Sequence, residues 1–433
     1  MGRHVCLIIA LISILLGCGG GGNPKTPADE VAIFDEQEGS LTPPDTLPEA
    51  EPEDAEPVKT AVSRFSTPVN ISHNATNSAF HSVIQTIDGV LHVAWVDNGN
   101  LAFSQSYDNG ATFNEPVLLV NSGVWHSVGS VRLALTESAI HLTLTSYQEG
   151  SFSGEIFYMR SLDGGLTFSN PVLVSNADGH SSISSYVSTD GFDRVVISWS
   201  NSIGAGQRSR YVISEDNGGS FTDPTGIYAT GSSPRLLLNS TNMFTTWLGG
   251  DNLDRHLYFV NATQNDEIDF RSSPMIIERD ILPYDSQMFV DDRGTLYLFW
   301  ASGEVGHPVI VMSTSEDDGR TFSERVVISN PDYPAYCSRV LITGAGAFYI
   351  AWLEEQVDNK YISYLSQTVD GGKTFLKNIE LEPSPVSSEY PFCPTLAHLS
   401  DNNHIGMVYS TEIPSNQRDD VFYTTFDTST VFD

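Results

Sequence analysis

The chain has 433 residues, 40% of them hydrophobic and 17% charged, enough for one large domain or two to three ordinary ones. Glycine (35) and proline (22) do not dominate, which excludes collagen-like and wholly disordered chains. Acids outnumber bases 54 to 21, a formal net charge of -33. Nucleic acid binds proteins through Lys and Arg and would be repelled; anionic membrane surfaces are poor partners for the same reason.

Residues 1–18 read MGRHVCLIIALISILLGC. A basic start (Arg3, His4) precedes an apolar run from Val5 to Leu16. That run is shorter than the roughly 20 residues that span a bilayer, and it has signal-peptide form. It ends in Leu15-Leu16-Gly17-Cys18, which resembles a bacterial lipobox. The resemblance implies that Cys18 is lipidated and becomes the mature N-terminus; an ordinary signal peptide is the alternative. Gly19 after the cysteine then favours the outer membrane over the inner one. Residues 19–61 read as an acidic tether with a glycine run at Gly19–Gly22, interspersed prolines and Phe34 as its one aromatic. Such a segment buries too little apolar surface to offset its ordering entropy. It would reach on the order of 150 Å extended, or roughly 40 Å as a coil.

From residue 62 onward the chain repeats. Ser106-Tyr-Asp108-Asn-Gly110-Ala-Thr112-Phe113 returns around Asp163, Asp216, Asp317 and Asp370. Two degenerate copies begin at Thr263 and Thr425. The Asp and Ser/Thr side chains suit hydrogen bonds to turn backbone, and Gly supplies positive φ. The aromatic is expected to close the hairpin against the blade. Around each copy lie alternating strands such as Ile156–Arg160 and Ile362–Leu365, an extended run with Pro, and a strand ending in an aromatic. Those aromatics are Trp95, Trp199, Trp247, Trp300, Trp352 and Tyr409, with Leu144 in the second repeat, and they read as packing between blades. Four strands per repeat is a propeller blade. The predicted fold is all-β, a propeller of seven four-stranded antiparallel blades over residues 62–433, with six blades as the fallback. The last copy stops at Phe432, so the segment Phe65–Ile71 should supply the missing strand and close the ring.

The motif resembles the Asp box of sialidases and other β-propellers. That resemblance implies a structural role for Asp108, Asp163, Asp216, Asp317 and Asp370, and a site at one mouth of the ring. Loops entering the inner strands there hold His81, Trp125, His126, His180, Tyr284, Asp285 and Tyr336, a mix of rings and polar tips suited to sugars. Loops leaving the second strands hold Asp97, Glu149, Asp251, Glu304, Glu354 and Glu355. Three of the 16 arginines, Arg132, Arg235 and Arg339, fall on inner strands of the second, fourth and sixth blades, with Arg339 aligning one residue out of register. Sialidases clamp a substrate carboxylate with three arginines, whose planar guanidinium matches it. The Phe/Tyr-Arg-Ile-Pro motif of active sialidases is missing: the matching region reads Asn77-Ser-Ala-Phe80-His81. Tyr390 is the best tyrosine candidate for a nucleophile.

Cys337 and Cys393 begin adjacent inner strands, each after an aromatic, and either form a disulfide or remain two buried thiols. No metal-ligand spacing is present and no cofactor is implied. Calcium is conceivable at the acidic turns Asp291-Asp292 and Asp419-Asp420, neither of which matches an EF-hand. The reading is of a monomeric, lipid-anchored envelope propeller that binds glycans or protein partners at its mouth without catalysis. A sialidase-like exo-glycoside hydrolase and an envelope assembly scaffold are the alternatives.

Overall fold

The computed structural model describes residues 64–428, apart from short internal segments of which 381–392 is the longest. The signal segment, Cys18, the tether and the end of the last motif copy lie outside the described residues. Seven four-stranded antiparallel sheets account for almost all the strands. Among the described residues every regular element is a strand, and no helix is long and apolar enough to cross a membrane. The propeller forms one unit, Ser63–Asp433.

The first strand of each blade lies innermost. These strands are Ala79–Ile87, Ser127–Thr136, Ser182–Thr189, Ser232–Leu238, Tyr284–Val290, Ala335–Gly344 and Thr395–His398, for blades 1 to 7. Each touches the next, and that of blade 7 touches that of blade 1, so the ring is closed. Two-residue turns join strands where the sequence offers Asp-Gly or Asn-Gly. Asp88 and Gly89 have φ of 51° and 75°, and Asn98 and Gly99 of 47° and 81°, the paired left-handed conformation that matches strand twist.

Closure falls where the unpaired last repeat puts it. The short strand Val69–Asn70 pairs with Arg418–Asp427, opposing Tyr423 and Phe422, as the fourth strand of blade 7. Phe65 bridges to Phe426 with ring centroids 4.9 Å apart. Asn70 Nδ2 donates to Asp420 Oδ2 at 2.7 Å and Ser72 Oγ to Asp420 Oδ1 at 3.1 Å. The open edge that an incomplete blade would expose is thereby paired.

The core is a set of seams between blades. Trp95 packs with Ile71, Ala397, Val408 and Val421 of blade 7. Trp199, Trp247, Trp300 and Trp352 sit in the same way against blades 2, 3, 4 and 5. All are at most 1% exposed, and Leu144 fills the equivalent place in blade 2. Truncating a buried side chain of this size costs about 3–5 kcal/mol.

The motif aromatic reaches further than its own hairpin. Phe113 meets Tyr423 of blade 7 edge-on at 5.1 Å, Phe168 meets Phe103 of blade 1, Phe221 meets Tyr158 of blade 2, and Phe322 meets Phe259 of blade 4. Each is thus a wedge between its blade and the preceding one. The degenerate copy keeps this: Phe270 meets Tyr211 of blade 3 at 5.0 Å. The motif glycine is needed for the same reason. A Cβ on Gly110 would sit 1.9 Å from the Tyr423 ring, and one on Gly218 would sit 1.8 Å from the Tyr158 hydroxyl.

Candidate functional site

The five repeated carboxylates are turn braces. At Asp108, Thr112 donates its N–H to Oδ1 at 2.9 Å and its hydroxyl to Oδ2 at 2.6 Å, while Ser106 Oγ donates to Oδ1 and accepts from Gly110 N. The same bonds recur at Asp163, Asp216, Asp317 and Asp370. These donors hold Asp163, Asp216, Asp317 and Asp370 at a pKa of about 2, led respectively by the Thr167 hydroxyl, the Ser214 hydroxyl, the Thr321 N–H and the Thr374 hydroxyl. A general acid must carry a proton near neutrality, and these groups are held far from that.

The axis is different, because there the repeats diverge at a fixed register. In every blade one inner-strand residue pairs with the residue just before the seam side chain of the second strand. These residues are Val83, Arg132, Tyr186, Arg235, Gln287, Arg339 and Thr395, opposite Ala94, Thr143, Ser198, Thr246, Phe299, Ala351 and Val408. Arg132, Arg235 and Arg339 therefore occupy one tier. The one-residue offset expected for Arg339 is corrected by its strand's second irregularity, between Ile342 and Gly344, which adds a residue below the tier. Tyr186 and Gln287 escape notice when inner strands are aligned from their hairpins. Counting back from the buried seam residue finds both.

The register shifts before the tier in blades 1 to 6, and in blades 3 to 6 the shift carries a left-handed residue. Ser184, Ser233, Asp285 and Cys337 hold equivalent places with φ of 57°, 51°, 51° and 59°, a conformation that costs an L-residue roughly 1–3 kcal/mol. Each lies two residues before its tier residue, where the register shifts. Bulges of this kind re-aim side chains. Here they bring Asp285 against the arginines.

Arg339 Nη1 donates to Asp285 Oδ2 at 3.1 Å, and Arg235 Nη2 lies 3.9 Å from Asp285 Oδ1. The Arg235 guanidinium lies over the Tyr186 ring at 5.2 Å. Arg132 Nη1 donates to the carbonyl of Val131, its own strand, at 2.8 Å. Among the described residues no carboxylate lies within 4 Å of Arg132, and Arg235 Nη1 is buried with no acceptor. Three guanidinium groups face one carboxylate, a formal surplus of two positive charges inside a chain of net -33. Desolvation, then repulsion from Arg235 and Arg339, pulls Arg132 down to about 10. Burial lowers Arg235 and raises the Tyr186 hydroxyl. Part of the cluster stays reachable: Asp285 and Arg339 side chains are each 24% exposed and Arg235 13%.

The other expected mouth residues divide. The side chains of His81 and Tyr284, and Trp125, His126, Glu149, Asp251 and Tyr390 entirely, lie outside what is described. His180 sits in the loop entering the blade 3 inner strand, its N–H on Asp178 Oδ1. Tyr336 donates to Glu355 Oε2 at 3.1 Å. Glu354 is buried, accepts from Gln356 and Trp352, and is raised by that burial. Cys337 and Cys393 are bonded, joining blades 6 and 7 two residues before Arg339 and Thr395.

At each of the two acidic turns one carboxylate is already engaged. Asp291 accepts from the N–H groups of Arg293, Thr295 and Gly346 and from the Tyr297 hydroxyl, and Asp420 is held by Asn70 and Ser72. Their oxygens face donors, the opposite of what a cation needs. Among the described residues no three His, Cys, Asp or Glu are grouped to hold a metal. A separate cleft of about 350 Å³ is lined by Ile276, Glu278, Trp300 and Arg325. Its charges pair with each other, Arg325 with Glu278 at 3.0 Å, so the axis remains the stronger site.

No family model and no curated protein sequence matches the chain. Solved structures do. A protein of Dyadobacter fermentans aligns with a TM-score of 0.54 at 12% identity, over 84% of this chain and all of that one. The polysaccharide lyase Uly1 gives 0.51 at 11%, over 80% and 90%. The GH93 alpha-L-arabinofuranosidase of Fusarium graminearum, seen with arabinobiose, gives 0.51 at 12%, over 85% and 99%. At these identities the likeness is one of fold.

Proposed function

We propose that this chain is an envelope-tethered propeller that binds an acidic glycan at its axial mouth without cleaving it. The observation that carries the reading is the arginine tier, with three guanidinium groups, one carboxylate and the Tyr186 ring on one axis. Buried cations without counter-charge are strongly unfavourable, so a site built this way is completed by an anion. The guanidinium fork suits carboxylate or sulfate oxygens, and an aromatic face beside it suits a sugar ring. A polysaccharide lyase and an arabinofuranosidase use the same fold on sugars.

The non-catalytic part of the reading rests on carboxylates. Glycoside hydrolysis needs two carboxyl or equivalent groups facing the scissile bond. Around the arginines, among the described residues, the one carboxylate is Asp285, already engaged by Arg339. The lipobox-like Cys18 and the tether support anchoring at the outer membrane, with the ring held away from the bilayer. Incubating the protein with acidic and neutral oligosaccharides, and following both retention and released sugar by mass spectrometry, tests this. Retention of acidic sugars alone is expected; release of a sugar that disappears in Arg235→Ala would make the chain a glycosidase.

A further inference from the structure

We propose that Asp285 is the specificity-determining residue of the axial site, selecting an anion that carries neighbouring hydroxyls over a simple inorganic oxyanion. The inference rests on the anion-binding reading above and assigns the selectivity within it. Among the described residues, four inner strands place a left-handed residue at the same bulge. Two of these are Ser184 and Ser233, neutral and small. Blade 5 puts a carboxylate there instead, directly before the arginine tier and partly exposed. It does so in the one place where anions are wanted, next to Arg235 and Arg339.

The arrangement has two consequences. Asp285 already occupies Arg339, and it opposes any second anion that approaches Arg235 and Arg132. A bare oxyanion meets that repulsion and offers no hydrogen to Asp285. A sugar acid meets the same repulsion but brings hydroxyl donors. Asp285 carboxylate oxygens have lone pairs beyond the single hydrogen bond from Arg339, and those can accept from the ligand. A carboxylate that accepts hydrogen bonds from the ligand while repelling its competitors discriminates by both attraction and exclusion. Were Asp285 only an anchor for the arginines, its loss would loosen them and weaken every anion alike.

The test compares full-length wild type with Asp285→Asn and Asp285→Ser, titrated at low ionic strength with sodium sulfate and with an oligogalacturonide. Serine is chosen because it already holds this backbone conformation at two equivalent bulges, and Asn tolerates it. Both variants are expected to bind sulfate about tenfold more tightly than wild type, a gain of about 1.4 kcal/mol. Their affinity for the oligogalacturonide should stay level or fall, so the preference for the hydroxylated acid drops at least tenfold. Folded variants that bind sulfate no better than wild type overturn the selectivity role while leaving the site standing. Absence of binding to either probe, in wild type and variants alike, overturns the site itself.

Discussion

The repeat loops and the axial tier are built from the same seven-fold repetition and use it in opposite ways. In the loops, five copies keep the same Asp, Gly and hydroxyl residues, and each polar side chain of the brace has its partner inside the turn. At the tier, one register position holds Val, Arg, Tyr, Arg, Gln, Arg and Thr around the ring, and the arginines have too few acceptors. Agreement between repeats marks what the blade needs to fold. Divergence at fixed register, with unsatisfied charge, marks what the ring presents to something else.

The contrast is broken most severely at the glycines. Gly110→Ala should destabilise the protein by roughly 3 kcal/mol or more, because the new Cβ meets the Tyr423 ring at the seam that closes blades 7 and 1. Gly164→Ala, also at positive φ but with no atom within 4 Å, should cost only about 1 kcal/mol. Urea unfolding of the two variants separates backbone strain from the wedge.

Acid probes the buried imidazoles. His92 and His141 are equivalent second-strand residues of blades 1 and 2, and burial lowers both to about 4. Between 6.5 and 4 the unfolded chain binds protons that the fold does not, so stability falls as pH drops through this window. Below about 4 both states are protonated and that loss is complete. Each histidine contributes on the order of 3 kcal/mol to the loss. The repeat loops act lower still: their carboxylates are depressed, so their contribution is kept above pH 4 and disappears as pH falls toward 2. A melting series from pH 7 to pH 3 should show the upper step shrink in His141→Gln.

The tier should respond in the opposite sense. Arg132→Met removes a buried cation without counter-charge, so stability should stay level or rise by about 1 kcal/mol, while affinity for acidic oligosaccharide falls at least tenfold. Calorimetry and thermal melts on one preparation read both. A smaller effect on ligand affinity is expected from the bond between blades 6 and 7, whose weight falls on stability. Replacing Cys337 and Cys393 together with Ser should cost about 2–4 kcal/mol in unfolding. Because these positions sit beside the tier rather than in it, ligand affinity should move by less than Arg132→Met moves it.

Much of this was legible in the residues. The motif spacing carries the blade count, and the truncated last repeat carries the closure by Phe65–Ile71, because both depend on local pattern. The cysteine pair could be placed on adjacent strands, though not decided between a disulfide and thiols, because Cα separation depends on the ring. The tier was half legible. Arg132 and Arg235 aligned, but an extra residue in the Ala335–Gly344 strand displaced Arg339, and bulges leave no signature in a count of residues. Tyr186 and Gln287 carry no charge and stood out from nothing until the strand pairing put them level with the arginines. That Asp285 turns toward the tier follows from a left-handed bulge, which an Asp in sequence does not announce.

The most direct test is a titration of the full-length protein with an acidic and a matched neutral oligosaccharide, in wild type and Arg235→Met, with melting temperature recorded alongside. Wild type is expected to bind the acidic sugar alone, with binding that weakens as salt rises and is abolished in Arg235→Met with no loss of melting temperature. Equal binding of the neutral sugar, or binding untouched by Arg235→Met, would contradict this reading.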